Sequence, residues 1–331
     1  MNREETLLLT PQEVRSLLSM DECIAAVEEA FRAHGEGKAP PPGVLGLHVR
    51  NGGFHIKAGI LHLSRDYFAA KVNGNFPDNR ARFGLPTIQG VIVLCDAEKG
   101  SPLAVMDSRE ITTLRTAAAS AVAAKYLARS DAHILTACGC GEQGRAQVKA
   151  VSRVVLLQRV FTYDTISSQA ERLAQELTAE LKIPVTAVLD LASATRQSDV
   201  CITCTPSRQP LLGIDDVRPG TFIAAVGADN PMKQELHPSL MARSKIVTDI
   251  TDQCAAMGDL HHALKAGAAT SASVHAELGE VVAGKKPGRE STEEIIIFDS
   301  TGMALQDVAA AAVLYEKAQS AGSGRRISLA A

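Results

Sequence analysis

The sequence has no large surplus of either charge, no apolar run long enough to cross a bilayer, no even set of cysteines and no internal repeat. Lys and Arg total 34 against 37 Asp and Glu, a net charge of −3, with a pI near 6.3. There is thus no broad positive field of the kind that draws in a phosphate backbone, and nucleic acid is not an expected partner. Without a membrane-length apolar stretch, membrane association is not expected either. Residues 1–10 carry acidic side chains and a short leucine run, not the basic start and apolar core of a signal peptide, so the expected location is the cytoplasm. Seven cysteines, an odd number, argue against a disulfide framework. Cys201-x-x-Cys204 has a spacing used in redox and zinc sites, but it lies in a run that reads as a buried strand. No second pair completes four ligands, and no metal is expected.

What is present is ordinary for a soluble enzyme of two domains: 331 residues, 46% hydrophobic and 21% charged. Thr10-Pro11 reads as a helix cap followed by a first-turn proline, and a second helix follows Met20-Asp21 until Gly35, Gly37 and three prolines break it. From Val44 to Leu94 short alternating strands are separated by Gly, Asn and Pro turns. Beyond an Ala-rich helix at Ile111–Arg129, strands alternate with helices, as in a doubly wound parallel sheet. A last helix starts at Met303, and the Gly, Ser and Arg rich tail after Ser320 is expected to fray. The expected fold is α/β: a Rossmann-type domain at 113–303, and a smaller α+β substrate-binding and dimerisation domain at 1–112 plus 304–331.

Gly139-Cys-Gly-Glu-Gln-Gly144 is a G-x-G-x-x-G that follows a strand and opens a helix, the context in which this pattern binds a dinucleotide. Gly139 permits the tight turn, Gly141 lets backbone approach a pyrophosphate, and Gly144 allows close packing of helix on strand. Asp164 ends the next strand, where a carboxylate accepts from the ribose hydroxyls and repels a 2′-phosphate, so NAD is the expected cofactor. The alternative for Asp164 is a cap on the helix at Ser167-Ser168.

Several segments, in order along almost the whole chain, together resemble the ornithine cyclodeaminase and mu-crystallin family, which includes archaeal-type alanine dehydrogenases and ketimine reductases. They are Lys71-Val-Asn-Gly-Asn-Phe-Pro77, Leu85-Pro-Thr87, Thr113-Leu-Arg-Thr-Ala117, Ala225-Val-Gly-Ala-Asp229, Glu277 to Gly284, and Phe298-Asp-Ser-Thr-Gly302 through Gln306-Asp307. The resemblance implies that Lys71 meets the substrate carboxylate or reacting group, that Asp229 is the general acid/base, and that Arg115 lies where substrate and cofactor meet. It implies nicotinamide or ribose contacts for Thr87, Thr203, Lys233 and Ser300, phosphate contacts for Glu142 and Gln143, and places Val226 and Gly227 in the cofactor set. It also implies a homodimer. The chemistry of these residue types agrees, since a carboxylate substrate needs fixed cations and an imine carbon needs a nearby proton source. Read without the resemblance, Lys71 could equally be an edge-strand lysine, Arg115 a helix-surface charge and Asp229 an Asx-turn residue.

One departure concerns the substrate. Many relatives carry an arginine in the early strand after the proline-rich turn; here that place falls near Gly46 to His48, while His55 and Lys57 occupy one face of the next strand. His48, His55 and Lys57 therefore join Lys71 and Arg115 as candidate substrate-binding residues, with a dicarboxylic amino or imino acid the expected class. The alternative for His55 and Lys57 is a solvent or interface role. The expected activity is NAD-dependent hydride transfer at the α-carbon of a small amino or imino acid. Its rivals are a cyclodeaminase with catalytic NAD and a non-catalytic binding protein.

Overall fold

The computed structural model describes residues 5–329. They fall into two compact units, one formed by the chain up to Arg115 together with the chain from Met303 onward, the other by Thr116–Gly302.

The first unit opens with β1 (Glu5–Leu9), α1 (Pro11–Leu17) and α2 (Met20–Gly35). Both helices begin with a capping box, Thr10 with Glu13 and Ser19 with Glu22, which satisfies backbone donors at each helix start. Then come β2 (Gly43–Val49), β3 (Gly52–His62), β4 (Asp66–Asn75), α3 (Asn79–Phe83), β5 (Ile88–Asp96), β6 (Pro102–Asp107) and α4 (Ser108–Leu127). The strands β2 to β6 form an antiparallel meander, and β1 adds to β6 in parallel. β1 and β6 are strands that the sequence reading did not mark. α4 starts three residues ahead of its expected start at Ile111.

The second unit is the parallel one. Its elements are β7 (Ile134–Cys138), α5 (Glu142–Val151), β8 (Arg159–Tyr163), α6 (Ser167–Leu181), β9 (Val185–Ala187), α7 (Leu191–Thr195), β10 (Val200–Thr203), β11 (Arg208–Leu212), β12 (Phe222–Ala225), β13 (Gln234–Leu236), α8 (Pro238–Ala242), β14 (Lys245–Thr248), α9 (Thr251–Met257), α10 (Asp259–Lys265), β15 (Val274–Glu277), α11 (Leu278–Val282) and β16 (Ile296–Asp299). Eight strands line up in the order β15-β14-β16-β12-β10-β7-β8-β9, every pair parallel, while β11 and β13 pair separately. Strand order reverses between β7 and β10, and such a switch point opens a crevice at the carboxyl ends of the strands. The central strands β10, β12 and β16 are buried along their whole length, as expected for strands covered on both faces.

The chain then returns to the first unit with α12 (Ala304–Ala321) and β17 (Arg325–Ser328). α12 is Ala-rich and buried without a break from Ala304 to Ala312, and it packs on α2, β3 and β4. It comes so close to β3 that a Cβ on Gly59 would lie 2.8 Å from the Leu305 side chain. The expected frayed tail is corrected by β17, which pairs antiparallel with β1. Gly322, at φ 62, ends α12 in the left-handed conformation and Gly324 at φ 86 completes the turn, so the polar Arg325–Ser328 segment is delivered to an open strand edge.

Candidate active site

In the second unit the switch point forms a cleft of about 420 Å³, lined by the ends of β7, β8 and β10 and including Gly139, Gly141, Asp164 and Thr205. Gly139 has φ +102, a conformation that disfavours a side chain, and its N–H donates to Tyr163 O. A Cβ at Gly144 would fall 1.9 Å from Gly139 O, whereas one at Gly141 would meet nothing within 4 Å. Thus the third glycine is required by packing, and the second faces open space where a pyrophosphate can come against bare backbone. α5 starts at Glu142, with Gly141 as a cap that has no side chain to occupy the helix donors. Those N–H groups and the positive helix end suit phosphate. Asp164 closes the loop: Oδ2 accepts from Cys140 N at 2.8 Å and Oδ1 from Ile166 N at 3.0 Å. It does not cap α6, whose N-cap is Ile166 without a side-chain bond. Glu142 is exposed and Gln143 half-buried at the start of α5.

Behind the strand ends lie buried carboxylates that the sequence reading did not single out. Glu235 accepts from Thr203 Oγ1 at 2.8 Å, from Thr205 N and Oγ1 at 2.6 and 2.7 Å, and from Gly227 N at 2.8 Å. Burial pushes its carboxyl up. Asp249 accepts from Ser300 Oγ at 2.9 Å and Gly302 N at 2.6 Å. The hydroxyls of Thr203 and Ser300, two of the expected nucleotide contacts, are therefore already donating, and toward a ligand each has acceptor capacity only. Val226 N donates to Thr203 O at 2.9 Å, which extends the β10–β12 pairing one residue. Asp229 is half exposed on the loop after β12, where its Oδ1 accepts from Lys233 Nζ at 2.7 Å and Asn230 Nδ2 at 3.2 Å. Asn230 supplies a turn acceptor there, its Oδ1 taking Met232 N.

In the first unit, strand register assembles the other candidates on one face of the sheet. Lys57 stands opposite Lys71, His55 opposite Asn73, and His48 opposite Gly53. His48 is exposed on the edge strand β2, and His55 and Lys57 are half-buried. Thr87 is exposed just before β5, and its carbonyl accepts from Phe76 N. Lys71 is 3% exposed on an inner strand and Arg115 is 5% exposed, which removes the edge-lysine and surface-charge alternatives. What holds them is Asp307 of α12: Lys71 Nζ donates to Oδ2 at 2.7 Å and Arg115 Nε to Oδ1 at 3.0 Å, with Arg115 Nη1 on Gln306 Oε1 at 2.9 Å. Burial, then the Arg115 charge, pull the Lys71 amine down to about 7. Burial alone would raise Asp307, but Arg115 and Lys71 outweigh it and keep the carboxyl below its usual range. Gln306 and Asp307 belong to one of the family-like segments, and the sequence by itself assigns them no role. The available signal was a polar pair inside the otherwise apolar run Met303 to Leu314.

The sequence profile of the ornithine cyclodeaminase/mu-crystallin family matches residues 4–322. The chain belongs to that family. It is 42% identical over 323 residues to an alanine dehydrogenase of Archaeoglobus fulgidus, covering 98% of both chains. An archaeal alanine dehydrogenase dimer with bound NAD superimposes with a TM-score of 0.93 over 98% of this chain and 100% of the other, also at 42% identity. The Thermococcus litoralis Δ1-pyrroline-2-carboxylate reductase in complex with NADH and L-proline gives 0.92 at 35% identity, over 97% of this chain and 100% of that one. The Paracoccus denitrificans iminosuccinate reductase with NAD+ gives 0.89 at 33%, over 98% and 99%.

Proposed function

We propose that this protein is an NAD-dependent oxidoreductase acting at the α-carbon of a small amino or imino acid. Bound NADH supplies the hydride that, with one proton, converts C=N to CH–NH. The observation that carries the reading is the buried pair Lys71 and Arg115 sharing the single carboxylate of Asp307. Two desolvated cations on one anion leave positive charge for a substrate carboxylate. Lys71, brought down to about 7, can also hold or release a proton at neutral pH. Arg115 and Lys71 bind the α-carboxylate, and Asp229 exchanges the proton on nitrogen. The glycine-rich turn of the cleft takes the pyrophosphate and Asp164 the adenosine ribose.

Purified protein given NADH, ammonia and a panel of 2-oxo acids, and separately preformed cyclic imines, should consume NADH. Lys71→Met and Asp229→Asn should each lower turnover by about a hundredfold or more, the range of general acid/base work. NADH affinity should stay within about twofold, below the tenfold that 1.4 kcal/mol represents. Near-normal turnover in either variant would remove that residue from the reaction. Conversion of ornithine to proline and ammonia with no net change in NADH would place the protein with the cyclodeaminases instead.

The assembly we propose is a homodimer. On the sheet face opposite Lys71, Leu45, Leu47, Val49, Phe54 and Val91 are 52%, 51%, 49%, 40% and 42% exposed, a contiguous apolar surface that a second copy would cover. The archaeal alanine dehydrogenase that superimposes with a TM-score of 0.93 is a dimer. No helix among the described residues is long and apolar enough to cross a membrane. The unpaired cysteines suit the cytoplasm.

A further inference from the structure

The loop that carries Asp229 begins after β12 and finishes at β13, which opens with Gln234. One side chain of β13 closes it into a ring: Glu235 Oε2 accepts from Gly227 N at 2.8 Å, eight residues back. The closure is tight, because a Cβ on Gly227 would lie 2.5 Å from Glu235 Cδ and 2.5 Å from Thr205 O. At the far end of the loop, the His262 ring donates through Nε2 to Lys233 O at 2.8 Å. The two oxygens of Glu235 serve different segments. Oε1 takes Thr205 N at 2.6 Å and Thr205 Oγ1 at 2.7 Å, at the lining of the nucleotide cleft, while Oε2 takes Gly227 N and Thr203 Oγ1. A fully buried carboxylate thus sets the Asp229 loop against the cleft while presenting no surface of its own. Burial pushes the Glu235 carboxyl up, and its four hydrogen bonds oppose that shift by favouring the anion. Its backbone is fixed from behind by Asp259, whose Oδ1 accepts from Glu235 N and Leu236 N, both at 2.8 Å, and whose buried Oδ2 has no partner.

We infer that Glu235 is a positioning residue for proton transfer: its Oε2 clasps Gly227 and so fixes Asp229 relative to the nucleotide cleft. This rests on the function proposed above, in which Asp229 exchanges the proton on nitrogen. A backbone N–H sits on each oxygen of Glu235, so both must accept, and an amide in either orientation sets N–H against N–H. In Glu235→Gln the amide oxygen stays with the two short bonds to Thr205. Its nitrogen then faces Thr203 Oγ1, which can accept, and Gly227 N, which cannot. The ring therefore opens at Gly227 while the cleft lining at Thr205 is retained. A reacting group displaced by about 1 Å costs on the order of a hundredfold in rate, so a change confined to this loop acts on the chemical step and not on the cofactor.

The test has a kinetic and an exchange arm. In the first, NADH consumption is followed with ammonia and whichever oxo acid of the panel above is turned over fastest. In Glu235→Gln, kcat should fall at least about tenfold while NADH affinity stays within about twofold. Adding Glu235→Gln to Asp229→Asn should lower kcat by less than about twofold more, because both changes remove the same proton transfer. Asp259→Asn keeps Oδ1 for its two N–H groups and alters only the unpartnered oxygen, so its kcat should stay within about twofold. In the second arm, hydrogen exchange of Glu235→Gln is read by mass spectrometry. It should quicken at least about tenfold across residues 227–233 and stay unchanged across 204–207, which together with NADH affinity shows that the variant is folded. Losses that multiply in the double variant, unchanged exchange at 227–233, or an equal fall of kcat in Asp259→Asn each overturns the inference while leaving the oxidoreductase reading intact. If no oxo acid is turned over but exchange quickens at 227–233 alone, the proposed reaction fails and the clasp on the Asp229 loop stands.

Discussion

The nucleotide cleft and the Lys71 patch solve the same problem, holding an anion, with different materials. The cleft uses backbone: a left-handed glycine, a helix start without a capping side chain, and one carboxylate that fixes the loop through two N–H groups. The patch uses long charged side chains that are kept in place by one another, Lys71 and Arg115 on Asp307. Backbone donors stay where the turn puts them whatever else is changed. Buried ions keep their position and their protonation only while their partner is present, so the two regions should respond very differently to loss of a single charge.

The largest expected difference is in stability. Asp307→Asn leaves Lys71 and Arg115 buried without their anion, and unfolding free energy should fall by about 3–5 kcal/mol. Urea titration measures this, and adding Lys71→Met to the variant should recover part of the loss. An unchanged urea midpoint would mean that the ion pair contributes nothing to the fold. In the cleft, the half-buried Asp164 replaced by Ser should act on choice of cofactor: kcat/KM for NADPH relative to NADH should rise at least about tenfold as the repulsion of a 2′-phosphate disappears. If the unmodified protein already prefers NADPH, Asp164 does not read the ribose.

The smallest effect is titration of the patch. Lys71 is depressed to about 7 by burial and Arg115, so its grip on a carboxylate is complete below that pH and lost as pH rises through it. The inhibition constant of propionate against the imine substrate should weaken about tenfold per pH unit above neutrality, and Lys71→Met should flatten that dependence. The same shift means the unfolded chain holds a proton at Lys71 that the folded chain lacks between about 7 and the ordinary lysine range. Stability from this group alone therefore increases with pH across that window.

This contrast also explains what could be read from sequence. The cleft is legible because Gly139, Gly141 and Gly144 are neighbours in the chain, and their spacing is itself the geometry. The alternation of strands and helices in the second unit is legible for the same reason of locality. Asp307 is remote in sequence from both of its partners, Lys71 on β4 and Arg115 on α4, and only tertiary packing brings the three together. The face shared by Lys57 and Lys71 needed the β3–β4 register, which their alternation alone could not supply. β1 and β17 escaped notice because each is short and gains its place from its partner: Leu7 and Leu8 pair with Arg326 and Arg325, a match that no local pattern announces.

The interruption of the first unit by the second has a consequence for biosynthesis. All of Thr116–Gly302 is a continuous stretch, so the parallel sheet can form while the chain is still being made. The meander sheet cannot be finished then, because its covering helix α12 and its edge strand β17 are encoded after residue 303. Until the ribosome has passed them, Lys71 and Arg115 have no Asp307 and the face that α12 will cover is open to water. The order of synthesis thus leaves the nascent first unit dependent on its own last segment, and on whatever shields it meanwhile, for longer than its position at the start of the chain implies.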